Sequence, residues 1–304
     1  MKLTYYSGAP PNFGDEINAT IWSHLLPSEF LDDDDSELFL GIGSILWDYL
    51  PKTSIKHVIG SGFGGYTGLP DMQDGSWNVV WLRGPITAEK LGLDPRLAIC
   101  DSAILLRETP LPEKAAGNDI AFMPHFQSAT RGNWEKACAL AGITYLDPRE
   151  DTQELLARIR GAKLLISEAM HGAIVADALR TPWIGIVPFI PLHRAKWADW
   201  AASLEIPLRR VQLRPSNLLE AYSHLTGLSG QGWKSNRILR SRLAAPASSA
   251  LCHIAARHLT RLAETVEPQL SSDAAITRAT ARSMEALRGF VTDRQTRPEG
   301  FAHR

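Results

Sequence analysis

The chain has 304 residues, 44% of them hydrophobic and 21% charged, and a formal net charge of -1. That length suits two domains of ordinary size, and the near-neutral balance argues against a bulk nucleic-acid binder. Cys100, Cys138 and Cys252 stand far apart without CxxC or Cys/His spacing, which argues against a zinc site and a disulfide framework.

The opening MKLTYYSGAPPNFGD lacks an apolar leader core and no later run could span a bilayer, so the expected compartment is the cytoplasm. Leu3–Ser7 reads as a first strand, and a Gly/Pro/Asn loop leads to a helix from Gly14 to about Leu26. Asp15 and Glu16 suit a helix start, while the Asn12-Phe13-Gly14-Asp15 loop would face a cleft at the carboxyl edge of the sheet. The acidic run Asp32–Asp35 reads as a solvated loop, since a metal needs converging ligands. Strands are expected at Leu38–Ile42 and His57–Ser61, with a helical segment at Ser44–Leu50 between them. Gly60-Ser61-Gly62-Phe63-Gly64-Gly65 fits GxGxxG, yet Tyr66-Thr67-Gly68-Leu69-Pro70 cannot open the helix that would receive a pyrophosphate. The stretch therefore reads as a glycine loop beside a cleft. Asn78–Leu82 is a strand ending in Arg83, whose fork of donors can meet an anion or form a structural ion pair. Pro85 suits the first turn of the helix that follows, Ile86–Leu91. Leu97–Cys100 leads into Asp101-Ser102 at another strand terminus.

Arg107–Asn118 has linker composition and marks a boundary. A second alternation follows: strand Asp119–Met123 ending in Pro124-His125-Phe126, helix Trp134–Ala141, strand Ile143–Leu146, and helix Thr152–Arg160 with Thr152 as its N-cap. Lys163–Ser167 is a buried strand, Ala169–Leu179 a helix stopped by Thr181-Pro182, and Trp183–Val187 a parallel strand. Ser167 through Gly172 thus lies at a strand's carboxyl end and a helix's first turn, where unpaired N–H groups favour an anion. A titratable His171 there is either an acid/base group or a turn cap. Arg194 and Lys196 open the next helix against the dipole preference, a conflict expected at functional sites. Leu208–Leu213 and Ser216–Leu225 read as a last strand and helix.

From Trp233 the pattern is helical only. Lys234, Arg237, Arg240 and Arg242 form a basic stretch, and Leu251, Ile254, Ala255, Leu259 and Leu262 an apolar stripe that suits packing. Ser272–Val291 is a further helix.

Ordered motifs over about the first two thirds of the chain resemble the polysaccharide pyruvyl transferase family. They are Asn12-Phe13-Gly14-Asp15, Gly41-Ile42-Gly43-Ser44, Gly60-Ser61-Gly62, Leu82-Arg83-Gly84-Pro85, Asp101, Pro124-His125-Phe126, Ser167 through Gly172 with Ala176, and Arg194-Ala195-Lys196-Trp197. Many relatives carry an arginine two residues before the motif histidine, where this chain has Ala169, which shifts anion holding to Arg83, Arg194 and Lys196. The alternation in each half implies an α/β fold of two doubly wound domains over residues 1–112 and 113–228, followed by a helical extension over 229–304 that the resemblance does not cover. The resemblance implies that the two domains are arranged as in glycosyltransferase-B folds, with the first on the acceptor side and the second on the donor side. It implies phosphoenolpyruvate as donor, a saccharide or lipid-linked oligosaccharide as acceptor, and neither cofactor nor metal. His171 and Asp15 would be catalytic. Arg83, Ser167, Met170, Gly172, Arg194 and Lys196 would bind the donor; Asn12, Gly14 and His125 would bind the acceptor. A nucleotide-sugar glycosyltransferase is the rival, because the same architecture serves both. A silent sugar- or anion-binding module is a third reading. The basic stretch and apolar stripe suggest a peripheral contact at the inner membrane face.

Overall fold

The computed structural model describes residues 1–117, 120–228, 232–239 and 241–296. Two all-parallel sheets with connecting helices make it a mixed α/β fold. The first sheet holds β1 (Lys2–Thr4), β2 (Glu37–Leu40), β3 (Ile55–Ile59) and β4 (Trp77–Trp81) in chain order. Leu82 bridges to Ala98 in parallel beyond β4, so the run before Asp101 sits on the edge of this sheet. Helices α1 (Phe13–Glu16) and α2 (Asn18–Leu25) join β1 to β2, and α3 (Pro85–Lys90) follows β4 with proline in its first turn.

The second sheet is built from β5 (Ile120–Met123), β6 (Thr144–Tyr145), β7 (Leu164–Ser167), β8 (Trp183–Ile186) and β9 (Arg210–Val211), in the order β6-β5-β7-β8-β9. Its helices are α4 (Phe126–Arg131), α5 (Trp134–Ala141), α6 (Thr152–Gly161), α7 (Met170–Ala178), α8 (Ala195–Ser203) and α9 (Leu218–Thr226). The strand order reverses between β5 and β7, and such a reversal opens a crevice at the strands' carboxyl ends. The loops entering that crevice carry His125 after β5 and His171 after β7. Among the described residues only this sheet has the doubly wound order. The expectation of a reversal in both halves is corrected, because the first sheet keeps chain order throughout.

Three local expectations also change. Ser44–Leu50 is not helical: Gly43 leaves the sheet at φ +132°, and Ile45 and Leu46 are drawn individually into the core. The helix expected from Gly14 is two short helices that meet at Ile17. The N-cap of α6 is Asp151, one residue before Thr152; its carboxylate accepts from the backbone N–H of Gln153 and Glu154.

Apolar packing does not stop between the sheets. One cluster runs from Phe13, Phe39 and Trp81 through Ile104 to Met123, Leu165 and Ile174. Phe13 N–H donates to Pro148 O across the halves at 2.7 Å. The C-terminal helices α10 (Trp233–Leu239), α11 (Ala245–Thr265) and α12 (Asp273–Thr296) divide their packing. Within α11, Cys252, Ala255, Leu259 and Leu262 pack beside Phe122 and Trp134 of the second half, while Ile254 stays exposed. The apolar stripe is thus largely a packing face. Helix α12 crosses back to the first half, where Phe290 meets Phe30, Phe39 and His57 and Arg294 pairs with Glu37. Of the basic stretch, Arg240 and the Lys234 side chain lie outside the described residues.

Candidate active site

A cavity of about 400 Å³ opens between the carboxyl edges of the two sheets. The first half supplies Asn12, Asp15, Ser44, Trp47, Tyr49 and Tyr66; the second supplies His125, His171, His193 and Lys196. A small recess continues from it, bounded by Gly14, His125, Met170, His171 and Lys196. It lies at the start of α7, whose first turn no side chain caps. Helix geometry leaves the leading N–H groups there without intrahelical acceptors, so an anion is the natural occupant.

His171 is buried in the second position of α7, and its Nε2 faces Oδ2 of Asp101 at 3.6 Å. Asp101 is fully buried; its other oxygen accepts from Ala103 N–H, which turns the chain into the 3-10 segment Ser102–Glu108. Among the described residues, Oδ2 of Asp101 and Nε2 of His171 have no hydrogen-bonding partner. On the other side of the ring, Gly14 comes so close that a Cβ there would overlap Nδ1 of His171. Glycine is therefore required at Gly14 by the approach of α1 to α7.

Glu168 pins the crevice from beneath. Its carboxylate accepts from His125 N–H, Ser128 Oγ–H and Phe189 N–H, so one buried side chain ties together the segments that follow β5, β7 and β8. Burial raises its pKa and these donors oppose the rise. Asp15 is also raised, chiefly by burial, while the amide of Asn12 at 2.6 Å and the nearby His171 act in the opposite sense. His125 stacks on His193 with ring centroids 4.2 Å apart. Burial, then neighbouring positive charge, holds both imidazoles well below their ordinary value; His193 falls to about 3.

The expected anion holders separate. Lys196 reaches both the cavity and the recess, with Nζ 5.8 Å from the ring centre of Tyr66. Arg83 is fully buried: its Nε donates to Asp199 at 3.0 Å, and its other nitrogens donate to Ser44 Oγ and Phe63 O. It reaches the cavity wall only through Ser44. Arg194 turns its guanidinium to the carbonyls of Pro188 and Phe189. Met170 borders the recess. Ser167 and Gly172 shape the turn, with Ser167 Oγ–H donating to Ala169 O and Gly172 admitting close contact with Ser167 and Met123. Asp101, Glu168, Tyr66 and His193 carry no assigned role in the sequence reading. The signal available for Asp101 and Glu168 was an acid directly after an apolar strand run.

The family model for polysaccharide pyruvyl transferase matches residues 12–188. The chain belongs to this family. It is 39% identical over 226 residues to a succinoglycan biosynthesis protein, ExoV, of Rhizobium meliloti (strain 1021), covering 73% of this chain and 70% of that protein. No solved structure gives a significant match. Family membership makes the chain a transferase. The matched span includes the Asn12–Asp15 loop, Asp101, His125 and His171, and it ends before His193 and Lys196. Among the described residues no helix is long and apolar enough to cross a membrane, and no three His, Cys, Asp or Glu side chains converge as metal ligands.

Proposed function

We propose that the chain transfers the pyruvyl group of phosphoenolpyruvate to two hydroxyls of a sugar, as a ketal, during exopolysaccharide biosynthesis. The observation that carries this reading is His171 at the uncapped start of α7, backed by buried Asp101 and flanked by Lys196. The donor's phosphate and carboxylate suit the recess, where the α7 N–H groups and Lys196 supply positive potential. His171 would deliver a proton to the methylene carbon and create an oxocarbenium-like centre at C2. Two sugar hydroxyls then form C–O bonds at C2 as the bond to phosphate oxygen breaks. Asp101 would hold the imidazole with Nε2 inward, leaving Nδ1 on the side of Gly14 and Asp15.

Asp15, Asn12 and His125 border the remaining space, which supports an acceptor role for them. Arg83, through Ser44, and Arg194, through the Pro188-Phe189 turn, would brace the walls. The facing sheets support a glycosyltransferase-B-like, two-domain arrangement. A phosphoenolpyruvate donor suits the cytoplasm, and exposed Leu225, Trp233 and Leu243 near Arg237 and Arg242 support contact with a membrane carrying a lipid-linked acceptor.

Incubation of the protein with saccharide acceptors and either phosphoenolpyruvate or a UDP-sugar tests the assignment. Phosphate release that requires both phosphoenolpyruvate and a saccharide is expected. Consumption of the UDP-sugar with phosphoenolpyruvate inert would replace this reading with glycosyl transfer.

A further inference from the structure

His193 and Tyr66 lie 127 residues apart in the chain and meet in the cavity, where the Tyr66 hydroxyl is 3.0 Å from Nδ1 of His193. On the opposite edge of the ring, Nε2 is 3.0 Å from Oε1 of Gln127. An amide oxygen only accepts, so Nε2 carries the hydrogen and Nδ1 presents a lone pair. The Tyr66 hydroxyl must therefore donate to His193. Its own oxygen lone pairs remain free to receive a hydrogen from another hydroxyl in the cavity. The His193 ring is fixed on a third side by stacking on His125, so tautomer and orientation are both set.

We propose that Tyr66 and His193 form the relay that removes the proton from the attacking acceptor hydroxyl. This rests on the phosphoenolpyruvate reading above and assigns it an acceptor-side base. As the acceptor oxygen bonds to C2 of the donor, its O–H bond breaks and the proton passes to the Tyr66 oxygen. The Tyr66 proton moves in the same step to Nδ1 of His193, leaving a neutral phenol and an imidazolium held by Gln127. His193 then returns its proton through Tyr66 to the departing phosphate, which leaves as hydrogenphosphate. The proton lost from the second hydroxyl balances the one His171 gives to the methylene carbon, so atoms and charge close without a further reactant.

The same geometry gives the relay an order of events. In the empty site, burial and then Lys196 and Arg131 weaken His193 as a base. A bound donor anion beside Lys196 offsets the part of that depression that comes from positive charge and so raises the basicity of His193. Proton transfer from the acceptor is thereby favoured once the donor is seated.

Steady-state phosphate release by the full chain, with phosphoenolpyruvate binding followed separately by tryptophan fluorescence, tests the relay on Tyr66→Phe and His193→Gln. The phenylalanine keeps the ring beneath Lys196 and loses only the hydroxyl. The glutamine can accept from Tyr66 and cannot hold a proton. Both are expected to lower kcat by about 10²-fold while donor affinity stays within a factor of about three of the wild type, which corresponds to less than 0.7 kcal/mol. A thermal melt of each variant checks the fold, and if His193→Gln melts early then Tyr66→Phe alone decides. A folded Tyr66→Phe or His193→Gln protein with wild-type kcat overturns the relay and leaves the donor reading intact. A wild-type protein that releases no phosphate with any saccharide overturns both.

Discussion

Asp101 and His171 approach from different sheets and leave Oδ2 and Nε2 facing each other at 3.6 Å, each without another hydrogen-bonding partner among the described residues. The gap slightly exceeds a hydrogen bond, and catalytic pairs in ligand-free sites are often long in this way. Burying a carboxylate oxygen without a donor is unfavourable unless something compensates it. A protonated His171 would be such a partner.

His171→Ala and His171→Gln are expected to lose about 10²-fold or more in kcat, the usual scale for a positioned acid or base, with the fold retained. Asp101→Asn should lower kcat with little change in the KM for phosphoenolpyruvate, since Asp101 touches the ring and not the donor. Phosphate release measured alongside thermal melts checks both. Full activity in His171→Ala would remove the histidine from the mechanism.

Gly14→Ala tests the crowding around the same ring. The added methyl would overlap Nδ1 of His171, so the imidazole or α1 must move. A misplacement of about 1 Å costs roughly 10²-fold in rate. Turnover is therefore expected to collapse, with a loss of about 1–3 kcal/mol of stability from overpacking. A variant with normal kcat would mean that the ring has room the structure denies it.

The cations divide by where they point. Lys196→Ala is expected to raise the KM for phosphoenolpyruvate by roughly tenfold or more, because charged hydrogen bonds are worth about 1.5–3 kcal/mol. Arg194→Ala should raise it less, since that guanidinium is engaged with Pro188 and Phe189 carbonyls. Arg83→Ala breaks a buried pair with Asp199 and should cost about 3–5 kcal/mol of stability. An Arg83→Ala protein that melts normally and binds donor weakly would assign Arg83 to the donor directly.

The two buried histidines should draw stability down as the solution is acidified below neutrality, against the opposite pull of Asp15, Glu168 and Glu220, whose raised values favour the folded chain there. His125 and His193 have folded values below the ordinary histidine value, so the unfolded chain binds protons that the folded chain refuses. Their contribution is complete above about 6.5 and is lost as the pH falls from there towards the folded values, down to about 3 for His193, at up to about 1.4 kcal/mol per pH unit for each group. Urea titrations between pH 7 and pH 5 measure the slope. His193→Gln should flatten it, and an unchanged slope would show that this ring is not buried in its neutral form.

The α/β alternation and the β7-α7-β8 unit were legible because apolar runs, helical spacing and Pro182 all agree there. His171 was legible for the same reason: a strand end followed by a helix start fixes where a side chain emerges. Asp101 was visible only as a strand-terminal acid, since its partner comes from the opposite half and local pattern carries no such register. Arg83 looked the same from sequence whether it faced an anion or Asp199, and only packing against α8 separates the two geometries. Ser44–Leu50 misled because Ile45, Leu46 and Leu50 can share a helical face, whereas the backbone leaves Gly43 in a conformation that does not continue into a helix. The zigzag order of the second sheet, and the chain order of the first, are set by long-range pairing that periodicity does not encode.

Phe290 on α12 has a consequence for how the chain is made. It closes over Phe39 and His57 of the first sheet, and the neighbouring ion pair between Glu37 and Arg294 joins residues 257 positions apart. During synthesis the earliest strands emerge long before the helix that covers them. Until that helix leaves the ribosome, the aromatic face of Phe39 stays wet and open to other chains. Contacts of such long sequence separation are also slow to form, because the intervening loop must close first. Newly made protein should therefore depend on chaperones until α12 docks, and truncation before Phe290 should yield aggregates in place of a smaller, working enzyme.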